Sequence, residues 1–218
     1  MSDFSFSQEL FKTVPIVGIL RNVDFEDFKH ILDIARSSGL TSLEVTMNTA
    51  AAPEMIAYAR EKAGENMNIG AGTVCDEADL KEALAAGAQF IVSPIVDEDV
   101  IKTCVAKQIP IFPGAYTPTE IYRCWKLGAE TVKVFPATVL GPSYIKDVLG
   151  PLNEIGLLPT GGVRLDNMKA FAQAGAVGFG LGGSLFPSAM IKAKQWKELA
   201  QHIETYVHEI KTLYPNEI

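Results

Sequence analysis

Lys133 stands in the middle of Thr131-Val132-Lys133-Val134-Phe135-Pro136, a run of β-branched and aromatic residues that reads as a strand. Helical patterns flank it on both sides, so the strand is expected to be buried. Lysine is rarely buried unless its charge is used, and desolvation lowers its pKa until the free amine can act as a nucleophile. The plainer alternative is an edge-strand lysine that discourages unwanted pairing. Glu44 is the second such group. It lies in Leu43-Glu44-Val45-Thr46, where alternation sends Leu43 and Val45 to one side and Glu44 and Thr46 to the other. If the aliphatic sides of both strands pack on helices, Glu44 and Lys133 share one interior. They then form either a structural ion pair or a nucleophile with its proton shuttle.

Two glycine pairs add an anion site. Pro159-Thr160-Gly161-Gly162-Val163 and Leu181-Gly182-Gly183-Ser184 each follow an apolar run. Glycine lets backbone amides approach phosphate oxygens, and a short helix from Ser184 would aim its positive end at them. Either pair alone could be a turn; two on consecutive strands point to phosphate. Arg21 is a further anion ligand and Thr73 a hydroxyl donor to a carboxylate, unless each only satisfies a loop. Cys75 has no histidine partner and reads as a small filler. Tyr116, Phe112 and Phe135 are expected to shape the pocket rather than react.

These residues need elements to hold them. From Val14 onward an apolar run, a turn, an amphipathic helix and a glycine recur, with strands at Val14 to Leu20, Ser42 to Thr46, Asn68 to Ala71, Phe90 to Ser93, Ile109 to Phe112, Thr131 to Phe135, Gly156 to Pro159 and Val177 to Gly180. Asp24, Asp76, Asp97 and the capping box Thr117-Pro118-Thr119-Glu120 mark helix starts. Gly39, Gly87, Gly128 and Gly175 mark helix ends. Eight strands alternating with helices in 218 residues predict a single-domain α/β fold spanning 1–218, a (β/α)8 TIM barrel. A doubly wound sheet would place a nucleotide fingerprint after the first strand, and Arg21-Asn22-Val23 is not one. Beyond Ser188 a longer amphipathic helix, with Trp196, Leu199, Ile203, Val207 and Ile210 on one face, should close the outer ring. In a barrel the reactive groups sit at the carboxyl ends of the strands, where Arg21, Glu44, Asn48, Thr73, Pro113, Lys133, Thr160 and Ser184 all fall.

A net charge of −7 with no long basic run argues against nucleic acid or an anionic membrane surface as partner. Cys75, Cys104 and Cys124 are odd in number and far apart, so neither a disulfide framework nor a zinc site is suggested. His30, His202 and His208 fall at no metal-ligand spacing, so no metal and no other cofactor is expected. Met1 to Lys12 lacks the apolar core of a signal peptide, and no apolar run could span a bilayer. A cytoplasmic enzyme with a small-molecule substrate is the expectation.

With these residues placed, the chain resembles the 2-keto-3-deoxy-6-phosphogluconate (KDPG) aldolase family, also called KHG/KDPG aldolases. The matching segments are Leu43-Glu44-Val45-Thr46, Gly70-Ala71-Gly72-Thr73-Val74, Ser93-Pro94, Pro113-Gly114, Lys133-Val134-Phe135-Pro136-Ala137, Pro159-Thr160-Gly161-Gly162-Val163 and Gly182-Gly183-Ser184, in the family's order over Val14 to Pro187. The resemblance implies a (β/α)8 barrel, a homotrimer, and metal-independent class I aldolase chemistry in carbohydrate breakdown of the Entner-Doudoroff type. It implies that Lys133 forms a Schiff base with a phosphorylated 2-keto acid and that Glu44 moves protons. Thr73 and Thr160 would hold the carboxylate and imine region; Gly161, Gly162, Gly183 and Ser184 would take the phosphate; Arg21 matches a basic residue ending the first strand. Pyruvate and glyceraldehyde 3-phosphate would be the products, or pyruvate and glyoxylate from 4-hydroxy-2-oxoglutarate. One position departs from the pattern. Where the best-known phosphogluconate enzymes carry Leu-Arg, this chain has Met47-Asn48, and family members resembling the 6-phosphogalactonate aldolases also carry Asn there, so either sugar epimer is admitted. The competing readings are a sugar-phosphate decarboxylase or isomerase on a phosphate-binding barrel, and a binding protein without catalysis.

Overall fold

In the computed structural model, which describes residues 5–215, strands and helices alternate along the chain. The outermost residues of the expected 1–218 domain, and the first four of the Met1 to Lys12 segment, lie outside the described residues. After α1 (Gln8–Thr13) come β1 (Ile16–Leu20), α2 (Phe25–Ser37), β2 (Ser42–Thr46), α3 (Ala52–Ala63), β3 (Asn68–Gly72), α4 (Glu77–Ala85), β4 (Ile91–Val92) and α5 (Glu98–Ala106). The second half holds β5 (Ile111–Phe112), β6 (Gly114–Ala115), α6 (Pro118–Lys126), β7 (Thr131–Val134), α7 (Gly141–Leu149), β8 (Gly156–Pro159), α8 (Leu165–Gln173), β9 (Phe179–Leu181), α9 (Ser188–Lys192) and α10 (Trp196–Leu213).

The helix signals act locally, which is why they are legible. Asp24, Asp76 and Asp97 each accept a hydrogen bond from a backbone amide three residues on, at 2.8 to 2.9 Å. Thr117 and Glu120 form the reciprocal capping box. Gly39, Gly87, Gly128 and Gly175 follow their helices with φ between 82° and 104°.

The strands are all parallel, but they form two sheets rather than one continuous eight-stranded ladder. One sheet runs β5-β4-β3-β2-β1-β9 and the other β6-β7-β8. The expected fifth strand, Ile109 to Phe112, is shorter as β5, and an unexpected ninth strand, β6, follows it across Pro113, which has no N–H to give a ladder, although its carbonyl accepts from the Lys133 amide at 2.9 Å. At the other seam Thr160 bridges Gly180, and the Val177 amide donates to the Leu157 carbonyl at 3.0 Å. The result is a curled parallel sheet wrapped by helices. A second correction falls at the C-terminal end, where the single long helix expected beyond Ser188 is two, α9 and α10, parted at Lys194, whose φ is +52°.

The core has two parts. Leu43, Val45, Val132 and Val134 belong to the larger apolar cluster between sheet and helices. A smaller cluster of Phe11, Val17, Phe90, Val92, Phe112 and Leu158 fills the inside of the curl, with Phe6 packed against it. Its rings meet at centroid distances of 5.5 Å (Phe6 and Phe90) to 6.5 Å (Phe6 and Phe112). Gly70 makes room for it, because a Cβ there would strike the Phe90 ring.

Candidate active site

Register decides where the two buried charges point. Neighbours in register on parallel strands face the same side of the sheet. Lys133 pairs with Leu158, a member of the inner cluster, and with Gly114. Glu44 pairs with Gly70, whose vacant side faces the inner cluster through Phe90. Both side chains therefore enter the interior above an apolar floor, as the alternation predicted.

Lys133 is 3% exposed and Glu44 1%. Burial pushes the Lys133 pKa below its ordinary value; Glu44 opposes this and Arg21 adds to it. Burial likewise raises Glu44 to about 7, against the pull of Lys133 and Arg21. Glu44 is thus poised to exchange protons near neutrality, beside an amine whose charged form is disfavoured, and Glu44 Oε2 is buried with no hydrogen-bond partner among the described residues. A Cβ at Gly72 would collide with the Glu44 carboxylate, so this glycine on β3 is the space in which the carboxylate sits. Gly180 does the same for the Thr160 hydroxyl. The Lys133 ammonium lies 4.7 Å from the Phe135 ring centroid.

A cavity of about 760 Å³ opens above Lys133. Arg21, Thr160, Gly161, Gly162, Gly183 and Ser184 line it together with Lys133 and Phe135. The other residues singled out from the sequence stand around it. Thr73, with φ +55°, accepts from the Arg21 guanidinium at 3.3 Å. Pro113 is buried beside Lys133 and holds that strand through its carbonyl. Asn48 does not line the cavity; it is exposed on the rim, between Met47, whose amide donates to the Gly72 carbonyl, and Thr49, which accepts from the Asn22 amide at 3.0 Å. Cys75 is half-buried, and its thiol pKa is raised by burial and by Asp79 and Asp76, which keeps it protonated and unreactive.

The phosphate loops differ in detail from expectation. No helix starts at Ser184; Gly182 to Phe186 form a turn in which Leu185 and Phe186 amides donate to the Gly182 carbonyl, and α9 begins four residues later. Gly161 and Gly162 have φ of 87° and 74°, conformations that glycine adopts freely. Sequence reasoning missed Arg164 and Lys192, which also line the cavity. Arg164 directly follows the Gly161-Gly162-Val163 loop and was there to be read; Lys192 was hidden in a stretch taken for one long helix. Among the described residues no group of three or more His, Cys, Asp or Glu could hold a metal ion.

With this geometry in view, comparison with known proteins identifies the family. The family model described as KDPG and KHG aldolase matches residues 7–202, and the chain belongs to that family. It is 33% identical over 195 residues to the 2-dehydro-3-deoxy-phosphogluconate aldolase of Treponema pallidum, covering 87% of this chain and 92% of that one. It is also 33% identical over 177 residues to a probable 2-dehydro-3-deoxy-6-phosphogalactonate aldolase of Rhizobium meliloti, covering 81% and 84%. A solved structure described as native KDPGal superposes with a TM-score of 0.87 at 25% identity, covering 97% of this chain and 99% of the other.

Proposed function

We propose that this chain is a metal-independent class I aldolase that cleaves 2-keto-3-deoxy-6-phosphogluconate, or a close 2-keto-3-deoxy acid, to pyruvate and an aldehyde. One observation carries the reading: a desolvated amine and a buried carboxylate with one oxygen unpartnered among the described residues lie over an apolar floor, and the amine opens into the cavity that two glycine loops line. The Lys133 amine adds to the C2 carbonyl, and the carbinolamine loses its hydroxyl as water with a proton from Glu44. The protonated imine then accepts the electron pair of the C3–C4 bond while the Glu44 carboxylate takes the proton of the C4 hydroxyl. Glyceraldehyde 3-phosphate leaves, the enamine is protonated at C3, and water releases pyruvate from Lys133.

The remaining groups read the two ends of the substrate. Arg21, Thr73 and Thr160 stand where the carboxylate and imine region would lie, and Gly161, Gly162, Gly183 and Ser184 would take the phosphate. Asn48 replaces a bidentate guanidinium with a neutral amide, and a relative at 33% identity bears a phosphogalactonate name, so the galacto epimer is the second reading. 4-Hydroxy-2-oxoglutarate, giving glyoxylate, is a third.

The same reading includes a closed (β/α)8 barrel, supported by the bridge from Thr160 to Gly180 and by chain continuity through Pro113 between the two sheets. It includes a homotrimer, for which exposed Val139, Ile95 and Tyr122 offer apolar surface. A cytoplasmic place in an Entner-Doudoroff type of route completes it; no helix among the described residues is long and apolar enough to cross a membrane.

The test is to follow pyruvate release from the gluco and galacto 6-phosphates and from 4-hydroxy-2-oxoglutarate, in chelator. Turnover of at least one without added metal is expected. Failure on all three, or strict dependence on a divalent ion, would contradict the proposal and favour a decarboxylase or isomerase.

A further inference from the structure

The two glycine loops are not supported by the strands alone. α10 lies behind them and turns His202 and Tyr206, one helical turn apart, toward both. His202 Nε2 lies 2.7 Å from the backbone carbonyl of Ser184. A carbonyl only accepts, so Nε2 carries the hydrogen and donates it. α10 packs on α8, and Tyr206, 3% exposed, has its hydroxyl facing the Ser184 side chain and the backbone of Leu165. Ser184 belongs to the loop after β9, and Leu165 is the first residue of α8, which follows the loop from Gly161 to Arg164. One phenol thus faces both halves of the anion cup. The two rings also pack edge to face, with centroids 5.1 Å apart, so each fixes the other.

Neither residue lines the cavity. Their effect is on backbone that does. The loops need such a brace. Gly183 has no atom within 4 Å of where a Cβ would stand, and the chain from Gly182 to Phe186 is a turn rather than a helix. Loop amides that must converge on an anion lose affinity if they first have to be ordered, and groups locked by buried hydrogen bonds avoid that cost.

We propose that His202 and Tyr206 are positioning residues for phosphate: α10 ties the loops after β8 and β9 into one preformed anion cup and so sets the preference for phosphorylated over unphosphorylated substrate. The proposal rests on the aldolase reading and on the phosphate assignment of the glycine loops. It predicts an effect confined to the phosphate end, leaving the imine chemistry at Lys133 untouched.

The experiment uses the full chain as wild type, Tyr206→Phe, His202→Ala and His202→Gln, the last keeping an N–H donor. The kcat and KM are measured for the preferred 6-phosphorylated substrate and for 4-hydroxy-2-oxoglutarate, with inhibition by inorganic phosphate. Tyr206→Phe and His202→Ala should each raise KM for the phosphorylated substrate and Ki for phosphate about tenfold, the scale of one lost hydrogen bond, with kcat held. The ratio of kcat/KM between the two substrates should fall by the same factor, and His202→Gln should restore most of it. Equal losses on both substrates, or an unchanged ratio in Tyr206→Phe, would overturn the proposal while leaving the aldolase reading intact. Wild-type protein that turns over 4-hydroxy-2-oxoglutarate but shows no phosphate preference would overturn the cup and the proposal with it. Absence of any wild-type turnover would instead refute the aldolase reading.

Discussion

Glu44 and Lys133 each hold a pKa that the unfolded chain does not, and the signs give testable consequences. Burial lifts Glu44 from 4.5 to about 7, so the folded state keeps a proton that the unfolded chain has lost, and stability falls as pH rises from about 4.5 to about 7. Burial lowers Lys133 below 10.5, so the folded state has shed a proton that the unfolded chain retains. Stability returns only as pH climbs from that lowered pKa toward 10.5. At neutral pH both groups therefore oppose folding. The double variant Lys133→Met with Glu44→Leu should be more stable than the parent at pH 7 by about 1–4 kcal/mol, read from urea melts, since replacing two buried ionisable groups by apolar ones relieves their desolvation. A less stable double variant would mean that the pair is structural. Glu44→Gln alone should lower kcat by roughly 10²- to 10⁴-fold and remove the limb of the pH-rate profile centred near 7. A profile that keeps this limb would assign the proton transfer to another group.

Elements place these side chains, and glycines at strand ends show how tightly. Gly72→Ala should cost activity out of proportion to stability, because the added methyl enters the volume of the Glu44 carboxylate, the far end of a side chain that can be displaced. Gly162→Ala should instead destabilise by more than about 1 kcal/mol, since its φ is +74° and the new Cβ would come within 2.7 Å of Thr138 Cα. Gly183→Ala, which meets nothing within 4 Å, should leave the melting temperature unchanged; thermal melts of the three variants separate these cases. Much of this level was legible in the sequence. Helix starts and ends depend on bonds within one turn of chain, so Asp24, Asp97 and Gly128 announced them without knowledge of the fold. β2 and β8 were read to the residue, because β-branched or aliphatic runs there end at polar or proline boundaries. Pro113 was legible as a strand end but not as the point where the ladder changes sheet, which depends on the partners on both sides. The break at Lys194 was invisible for a related reason. Its ammonium pairs with Asp27, far away in the sequence, and no local pattern encodes that contact. Asn48 and Arg164 show the limit at the site itself: their types were readable, but rim or lining is settled by how the turns lie.

For the whole molecule, the curl of the sheet puts an aromatic floor under a lysine, and that floor sustains the desolvation on which the amine depends. Phe90→Ala should destabilise by about 3–5 kcal/mol in denaturant melts and also move the Lys133 pKa back toward 10.5 as water reaches the interior. Unchanged imine formation at neutral pH in that variant would separate the floor from the chemistry. The net charge of −7 makes the surface inhospitable to anions in general, so recognition of a phosphorylated acid must come from the local cations and amides of the cavity. The central claim is that Lys133 becomes covalently bound to substrate. The protein, incubated with pyruvate and borohydride and then digested, should carry a reduced pyruvyl adduct on Lys133 by mass spectrometry, and Lys133→Ala should carry none. Folded wild-type protein that stays unlabelled, or that labels equally at another lysine when Lys133 is removed, would contradict the account.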